Sequence, residues 1–319
     1  MRNAFSPRRS ALCAALLLAL AGVAVSQAPG FVPLVMSLAT SGDFADAEKL
    51  LAQYRASAGI TPDYLEALSW LGRAHLNRNE FDAAAQNAAE VRKLAAAALQ
   101  KRKLDAEAHL PLALGAAIEV DASVLAKRHQ TDQAVVMLKD EIARWHGTSI
   151  EMRLRKNLNL LTLEGKPAPE LDVAQGLGAV RPLPLSAHRG HPVLLFLWAH
   201  WCVDCKNEVA IVQRLEATYG AKGLVVIAPT QRYGYTAGGV DATAADETRY
   251  IEAIWQRYYA GLGPVEVPLS EANFLRLGVS TTPTLVLLDP QGIVRLYHPG
   301  NETYEKLAAA IDAMLKSKS

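Results

Sequence analysis

Hydrophobic and polar positions divide the chain into three regimes. Arg2, Arg8 and Arg9 precede an apolar run from Ala11 to Val25, and Ser26-Gln27-Ala28 closes it. From about Phe31 to Leu161 the chain is Ala- and Leu-rich and punctuated at intervals that suit paired helices. That periodicity stops at the proline-rich break Gly165-Lys-Pro-Ala-Pro169, where a domain boundary is expected. Beyond it, Val193 to Trp198 reads as a buried strand, Cys202 to Tyr219 as a helix with Val209, Val212, Leu215 and Ala217 on its apolar stripe, and Leu224 to Ala228 as a second buried strand. This β-α-β unit requires its two strands to be parallel. Gln231 to Ala245 shows no periodicity and reads as a loop that either covers a site or is a disordered insertion. A helix follows over Asp246 to Tyr259, then a short strand-like Val265-Glu-Val-Pro268. Thr284 to Asp289 and Ile293 to Tyr297 flank Pro290-Gln-Gly292 as a hairpin, and Glu302 to Lys316 closes the chain as an amphipathic helix.

The first regime has the form of a secretory signal peptide cleaved after Ala28. An exported, periplasmic or otherwise extracytoplasmic protein is expected, with an uncleaved signal anchor as the alternative. No later run is read as apolar for long enough to span a membrane. In the helical region, Gly42-Asp43-Phe44-Ala45-Asp46-Ala47 is echoed by Asn79-Glu80-Phe81-Asp82-Ala83-Ala84, with Phe44 and Phe81 37 residues apart. This resembles the tetratricopeptide helical hairpin, although Leu68 stands where that pattern favours Trp. A third unit, from Leu114-Gly115 to Ala134, reads as degenerate, with extra residues in its turn and a core stripe of Ala134, Met137, Leu138, Ile142 and Trp145. The resulting division is a leader over 1–28, a helical domain over 29–163 and a second domain over 164–319. Stacked hairpins can present a concave face to a protein partner, or merely cap a neighbouring domain.

Loss of residues 1–28 would remove three of the 33 basic residues and none of the 32 acidic ones, leaving a net charge of −2. Such a balance implies no basic surface for nucleic acid. It would also remove Cys13, leaving Cys202 and Cys205 of the three cysteines. One closely spaced pair in an exported chain points to chemistry more than to a disulfide-stapled scaffold. A sulfur at the start of a helix meets unpaired N–H groups and the positive end of the helix dipole, both of which favour a thiolate. With Cys205 one turn on, the pair suits a dithiol that attacks a disulfide through Cys202 and is released through Cys205. Other readings of C-x-x-C remain open in part. Haem attachment needs His after the second cysteine, where Lys206 stands. Zinc needs two further ligands that His188, His191 and His200 do not supply at a suitable spacing, and an inert structural disulfide would close a very small ring. No metal or cofactor is expected beyond the Cys202-Cys205 disulfide itself.

Trp198-Ala-His-Trp-Cys-Val-Asp-Cys-Lys206 at a strand-to-helix junction, with Val279-Ser-Thr-Thr-Pro-Thr284 some way downstream, resembles the thioredoxin fold. Within it, the Gly165-to-Pro169 entry, Glu208, and the Lys222-Gly-Leu-Val-Val-Ile227 run are similar to the TlpA-like exported thiol-disulfide oxidoreductases. That resemblance implies an α/β domain with a central mixed sheet flanked by helices, preceded here by the all-α, tetratricopeptide-like domain. It implies Cys202 as attacking thiol, Cys205 as resolving thiol, and Thr282-Pro283 as a cis peptide facing them. Trp201 is expected to shield the sulfurs, with simple core packing as its other reading. Val203 and Asp204, between the cysteines, are expected to tune the redox behaviour: a carboxylate there opposes the thiolate. Phe196 stands where thioredoxin has a buried acid, and Ala210 where a kink-forming proline is common. Glu208 is the nearest replacement for that acid, although an exposed helical Glu is the plainer reading. The implied function is disulfide exchange with protein substrates, in the reducing direction, with electrons from a separate thiol donor and the helical domain positioning a partner. The alternatives are a partner-binding scaffold of little turnover, and a peroxidase; the latter is disfavoured because Ala199 stands where a Thr-x-x-Cys arrangement is needed.

Overall fold

The structure, a computed structural model, describes residues 30–316; the expected leader lies outside them. Seven helices come first: α1 (Phe31–Ser41), α2 (Phe44–Ala58), α3 (Pro62–Asn77), α4 (Phe81–Leu99), α5 (His109–Lys127), α6 (Thr131–Arg144) and α7 (Glu151–Thr162). The first six form three successive pairs. Phe44 and Phe81 each open the second helix of a pair, as the repeat predicts. The third pair corrects the sequence reading: its turn has no extra residues. Arg128, His129 and Gln130 repeat the backbone hydrogen bonds of Arg78, Asn79 and Glu80, and His129 and Asn79 share a φ of 62°. The extra length lies inside α5, so Gly115 sits further from its turn than Gly72 does from its own.

α5 also corrects the expectation that no later segment could span a membrane, because by length and composition it passes. Its apolar faces are instead turned inward, with 61% of its apolar window buried where it packs against α3, α4, α6 and α7. A helix hydrophobic on most faces is one enclosed on most sides.

The second half is built on strands β1 (Val193–Leu197), β2 (Val225–Ile227), β3 (Thr284–Leu288) and β4 (Val294–Pro299), in the order β2-β1-β3-β4. β1 and β2 are parallel, as the β-α-β reading requires, and the other two pairings are antiparallel, giving a mixed sheet. Four helices accompany it: α8 (Val203–Tyr219), α9 (Ala244–Tyr258), α10 (Glu271–Leu277) and α11 (Tyr304–Lys316). Every residue of β1 and β3 is buried because both faces are covered. Alternation sorts them: Leu194 and Phe196 meet α8, α9 and α11, whereas Val193, Leu195 and Leu197 meet α10 and its surroundings. Two details differ from expectation. Ala217 faces solvent, and Tyr219 completes the α8 stripe. Val265 to Pro268 forms only isolated bridges, Glu266 parallel to Ile227 of β2 and Pro268 antiparallel to Gly176, and Pro268 has no N–H to continue a ladder.

α7 joins the halves. Leu154 belongs to the helical core, whereas Met152 packs against the core beneath the sheet, and α7 touches both α10 and β4. The closest approach is at Gly278, just after α10, where φ is +64°. A Cβ there would be driven into the backbone nitrogen of Lys156 and to 2.7 Å from the carbonyl carbon of Arg155. The Tyr297 hydroxyl donates to the carbonyls of Leu277 (2.7 Å) and Gly278 (3.2 Å), holding the same turn from the sheet side. Gly278→Ala should therefore cost about 2–5 kcal/mol, the sum of a left-handed backbone penalty and overpacking, read as a lower denaturant midpoint; an unchanged midpoint would show that the junction yields without strain.

Candidate active site

The end of β1 delivers the site. Trp198 is fully buried; its indole N–H donates to Ala228 O (3.0 Å), its backbone N–H to Pro229 O (3.2 Å), and its carbonyl accepts from the Thr230 hydroxyl (2.8 Å). It also packs at 4.5 Å from Tyr259 and 5.4 Å from Trp255. With the strand end clamped in this way, the next four residues turn the chain into α8. Cys202 is the N-cap of that helix, in extended conformation, and its sulfur accepts the backbone N–H of Cys205 at 2.9 Å. Cys202 and Cys205 are joined as a disulfide, with Cα atoms 5.3 Å apart.

The residues singled out from the sequence fall around this pair as follows. Thr282-Pro283 is a cis peptide, and the Thr282 carbonyl oxygen lies 3.4 Å from Cys202 Sγ. A disulfide sulfur carries no proton, so this contact becomes a donated hydrogen bond only when Cys202 is a thiol. Cys202 is 3% exposed and Cys205 is fully buried, so Cys202 is the more accessible sulfur of the pair. Trp201 and Val203 flank it at 47% and 67% exposure. Trp201 is thus a rim residue and not part of the core, a role taken by Trp198. Asp204 is exposed in the first turn of α8, where the helix dipole favours its charge and its charge opposes a Cys202 thiolate. Phe196 is core, 6.2 Å from Tyr259. α8 runs unbroken through Ala210.

Glu208 overturns its plainer reading. It is 1% exposed, on the buried side of α8 one turn beyond Cys205. Burial pushes its carboxyl above the usual range; the Glu302 amide, which donates to it at 3.3 Å, works against this, and the Glu302 charge works with it. A carboxyl whose pKa is raised by burial is a stronger base when ionised, which suits proton exchange with a neighbouring group.

Sequence reasoning missed a second buried pair, His200 and Glu247, each 1% exposed. His200 Nε2 lies 3.3 Å from Glu247 Oε1 without a well-aligned hydrogen bond. Burial depresses the imidazole pKa more than the Glu247 charge raises it, so neutral imidazole is favoured. Tyr233, Tyr235 and Tyr250 surround the ring edge-on at 5.3–5.6 Å, and Tyr233 also meets Trp201 at 5.5 Å. The non-periodic loop is therefore ordered. Glu247 accepts the N–H groups of Tyr233 (2.5 Å) and Gly234 (2.8 Å), and the loop closes on itself through a Tyr235–Asp241 bridge. Two signals could have shown this. Thr243 caps α9 by accepting from Asp246 N, which starts the helix earlier than Asp246, and the tyrosines at 233 and 235 share one face of an extended segment.

No family model matches the chain. Among curated proteins it is 26% identical over 149 residues to the thioredoxin-like protein YneN of Bacillus subtilis, covering 47% of this chain and 79% of the relative. It is 28% identical over 143 residues to the thiol-disulfide oxidoreductase ResA of Bacillus thuringiensis, covering 45% and 73%. Both of these relatives carry thioredoxin-like or thiol-disulfide oxidoreductase names, and it is the half of the chain that holds Cys202 and Cys205 that is similar in length to the matched stretches. Among solved structures, a thiol-disulfide isomerase from Corynebacterium glutamicum overlaps 47% of this chain and 96% of its own, at 17% identity and a TM-score of 0.39. Each of these matches leaves more than half of the chain uncovered.

Two outcomes test this oxidoreductase site. Folded Glu208 holds its proton more tightly than the unfolded chain does, so its penalty is absent below about pH 4 and grows as pH rises. Glu208→Gln should accordingly raise the unfolding midpoint at pH 7 and leave it unchanged near pH 3.5; equal effects at both would mean the carboxyl is not held neutral by burial. Glu247→Ala should cost about 2–4 kcal/mol by orphaning two N–H groups, with faster hydrogen exchange at Tyr233 and Gly234; unaltered exchange there would show that the loop has another anchor.

Proposed function

We propose that this oxidoreductase acts outside the cytoplasm as a reductant of protein disulfides, with its tetratricopeptide-like helical half positioning a partner. The observation that carries the reading is Cys202: a helix N-cap sulfur that already accepts an N–H, at a rim of exposed Trp201 and Val203, with its partner sulfur buried behind it. In the reducing direction, the Cys202 thiolate attacks one sulfur of the substrate disulfide. The other substrate sulfur leaves as a thiolate and takes a proton from water. Cys205 then passes its proton to ionised Glu208, one turn further along α8, and attacks Cys202 Sγ; the Cys202–substrate bond breaks, and the second substrate sulfur leaves as a thiolate that takes up that proton, so that the substrate leaves as a dithiol and this chain holds the disulfide. Two electrons pass to the substrate, with one proton from water and one from Cys205, and a separate thiol donor restores the dithiol. Export is supported by the pattern of residues 1–28, and the reducing direction by the TlpA-like resemblance.

Cys202→Ser should lower disulfide exchange by roughly a thousandfold or more, whereas Cys205→Ser should accumulate a mixed disulfide with substrate that dithiothreitol releases. Retained turnover in Cys202→Ser would remove the assignment of the attacking sulfur. A glutathione or dithiothreitol redox series on the wild-type protein should give a potential nearer the roughly −270 mV of thioredoxin than the roughly −120 mV of strong disulfide donors; the latter value would reverse the direction.

A further inference from the structure

A cleft of about 550 Å³ lies between the helical half and the turn that carries the cis peptide. Its walls come from α3 (Trp70, Arg73), α5 (Glu119) and α7 (Arg153, Lys156), and its far edge is Ser280 and Thr281. Thr281 immediately precedes the residue whose carbonyl touches Cys202 Sγ. One residue step is about 3.8 Å, so this edge of the cleft is one step along the chain from the residue that touches the sulfur.

The charges in it do not balance. Three cations line it with Glu119, and Glu66 is a second carboxylate that acts on Arg73 from outside the lining. Glu119 is already shared, accepting from Arg153 Nε at 2.6 Å and Lys156 Nζ at 3.2 Å. Arg73 is left without an ion pair among the described residues; its guanidinium lies 4.4 Å over the Trp70 ring. Burial first, and then the neighbouring Arg153, lower its pKa to about 10 against the opposing pull of Glu119 and Glu66. The chain as a whole carries a formal charge of only +1, so this excess is local. A half-buried arginine stacked on an aromatic, with no carboxylate in its fork, is an arrangement suited to receiving one there.

We infer that the Arg73 cleft is a subsite for an acidic segment of the substrate polypeptide, gripping glutamate or aspartate side chains that flank the disulfide while that disulfide is attacked at Cys202. This rests on the exchange activity proposed above. The two halves then have complementary roles. The helical half supplies the binding charge, the sheet half supplies the sulfurs, and the close contact at Gly278 fixes the distance between them. A volume of this size admits two or three side chains, in keeping with short flanking recognition. It also makes electrostatics the source of specificity, so the preference should weaken as salt screens it.

The test uses the full mature chain and three peptides with the same internal disulfide, flanked by Glu, Gln or Lys, together with uncharged hydroxyethyl disulfide. Wild type should show kcat/KM for the Glu-flanked peptide about tenfold above the Gln-flanked one in low salt, with the Lys-flanked peptide poorest and the spread narrowing in about 0.5 M salt. Arg73→Gln should erase the advantage, Arg73→Lys should keep part of it, and turnover of hydroxyethyl disulfide should be the same in all three proteins. Equal kcat/KM for the Glu and Gln peptides in wild type, or an advantage that survives Arg73→Gln, would overturn the subsite. Absence of hydroxyethyl disulfide turnover by wild type would instead overturn the exchange activity beneath it. Loss of that turnover in Arg73→Gln alone would make Arg73 structural and overturn the subsite, unless Arg73→Lys restores both it and the Glu preference.

Discussion

The hydrogen bonds that clamp Trp198 to the residues following β2 are the constraint on which the site depends. They join the ends of two parallel strands across three groups, the indole, the amide and the carbonyl, and all are buried. With that end immobile, Cys202 can stand at the first position of α8 with its sulfur aimed back at the helix N–H groups. A looser strand end would leave the sulfur in water and forfeit the charge-stabilising geometry. The same clamp turns His200 inward, so that two residues before the reactive sulfur the chain is already sealed by Glu247 and the tyrosine-bearing loop.

The site concentrates ionisable groups where burial makes them costly. Glu208 and Glu247 are both almost wholly enclosed, and they are treated differently. Glu247 receives two backbone N–H groups and the edge of His200, which suits a carboxylate that fixes a loop. Glu208 receives one long bond from Glu302 and is pushed towards its neutral form, which suits proton exchange beside Cys205. Two acids of the same type therefore differ in environment through the number of donors each is given. Meanwhile α7 lends one face to each core, so the charged wall of the helical half and the sulfurs of the sheet half are held at a set separation.

Much was legible in the order of residues. Period-two and period-3.6 patterning placed the β-α-β unit, the hairpin, the paired helices and the break between regimes, because those patterns are local consequences of backbone geometry. The Cys-x-x-Cys pair at a strand-to-helix junction determined the candidate chemistry for the same reason: a helix start and a one-turn spacing are local. Tertiary structure alone decided what each polar group near the site does. A helical Glu one turn past a cysteine is equally consistent with either face of the helix, and only the fold, which brings the distant Glu302 amide to it, made Glu208 buried. His200 and Glu247 are 47 positions apart, and nothing local couples them. The apolar run of α5 could have suited a membrane as well as a core until four neighbouring helices enclosed it. The cationic cleft likewise exists only where α3, α5 and α7 converge on the turn after Gly278, because net charge is a property of the sequence, whereas an uncompensated charge is a property of what folds around it.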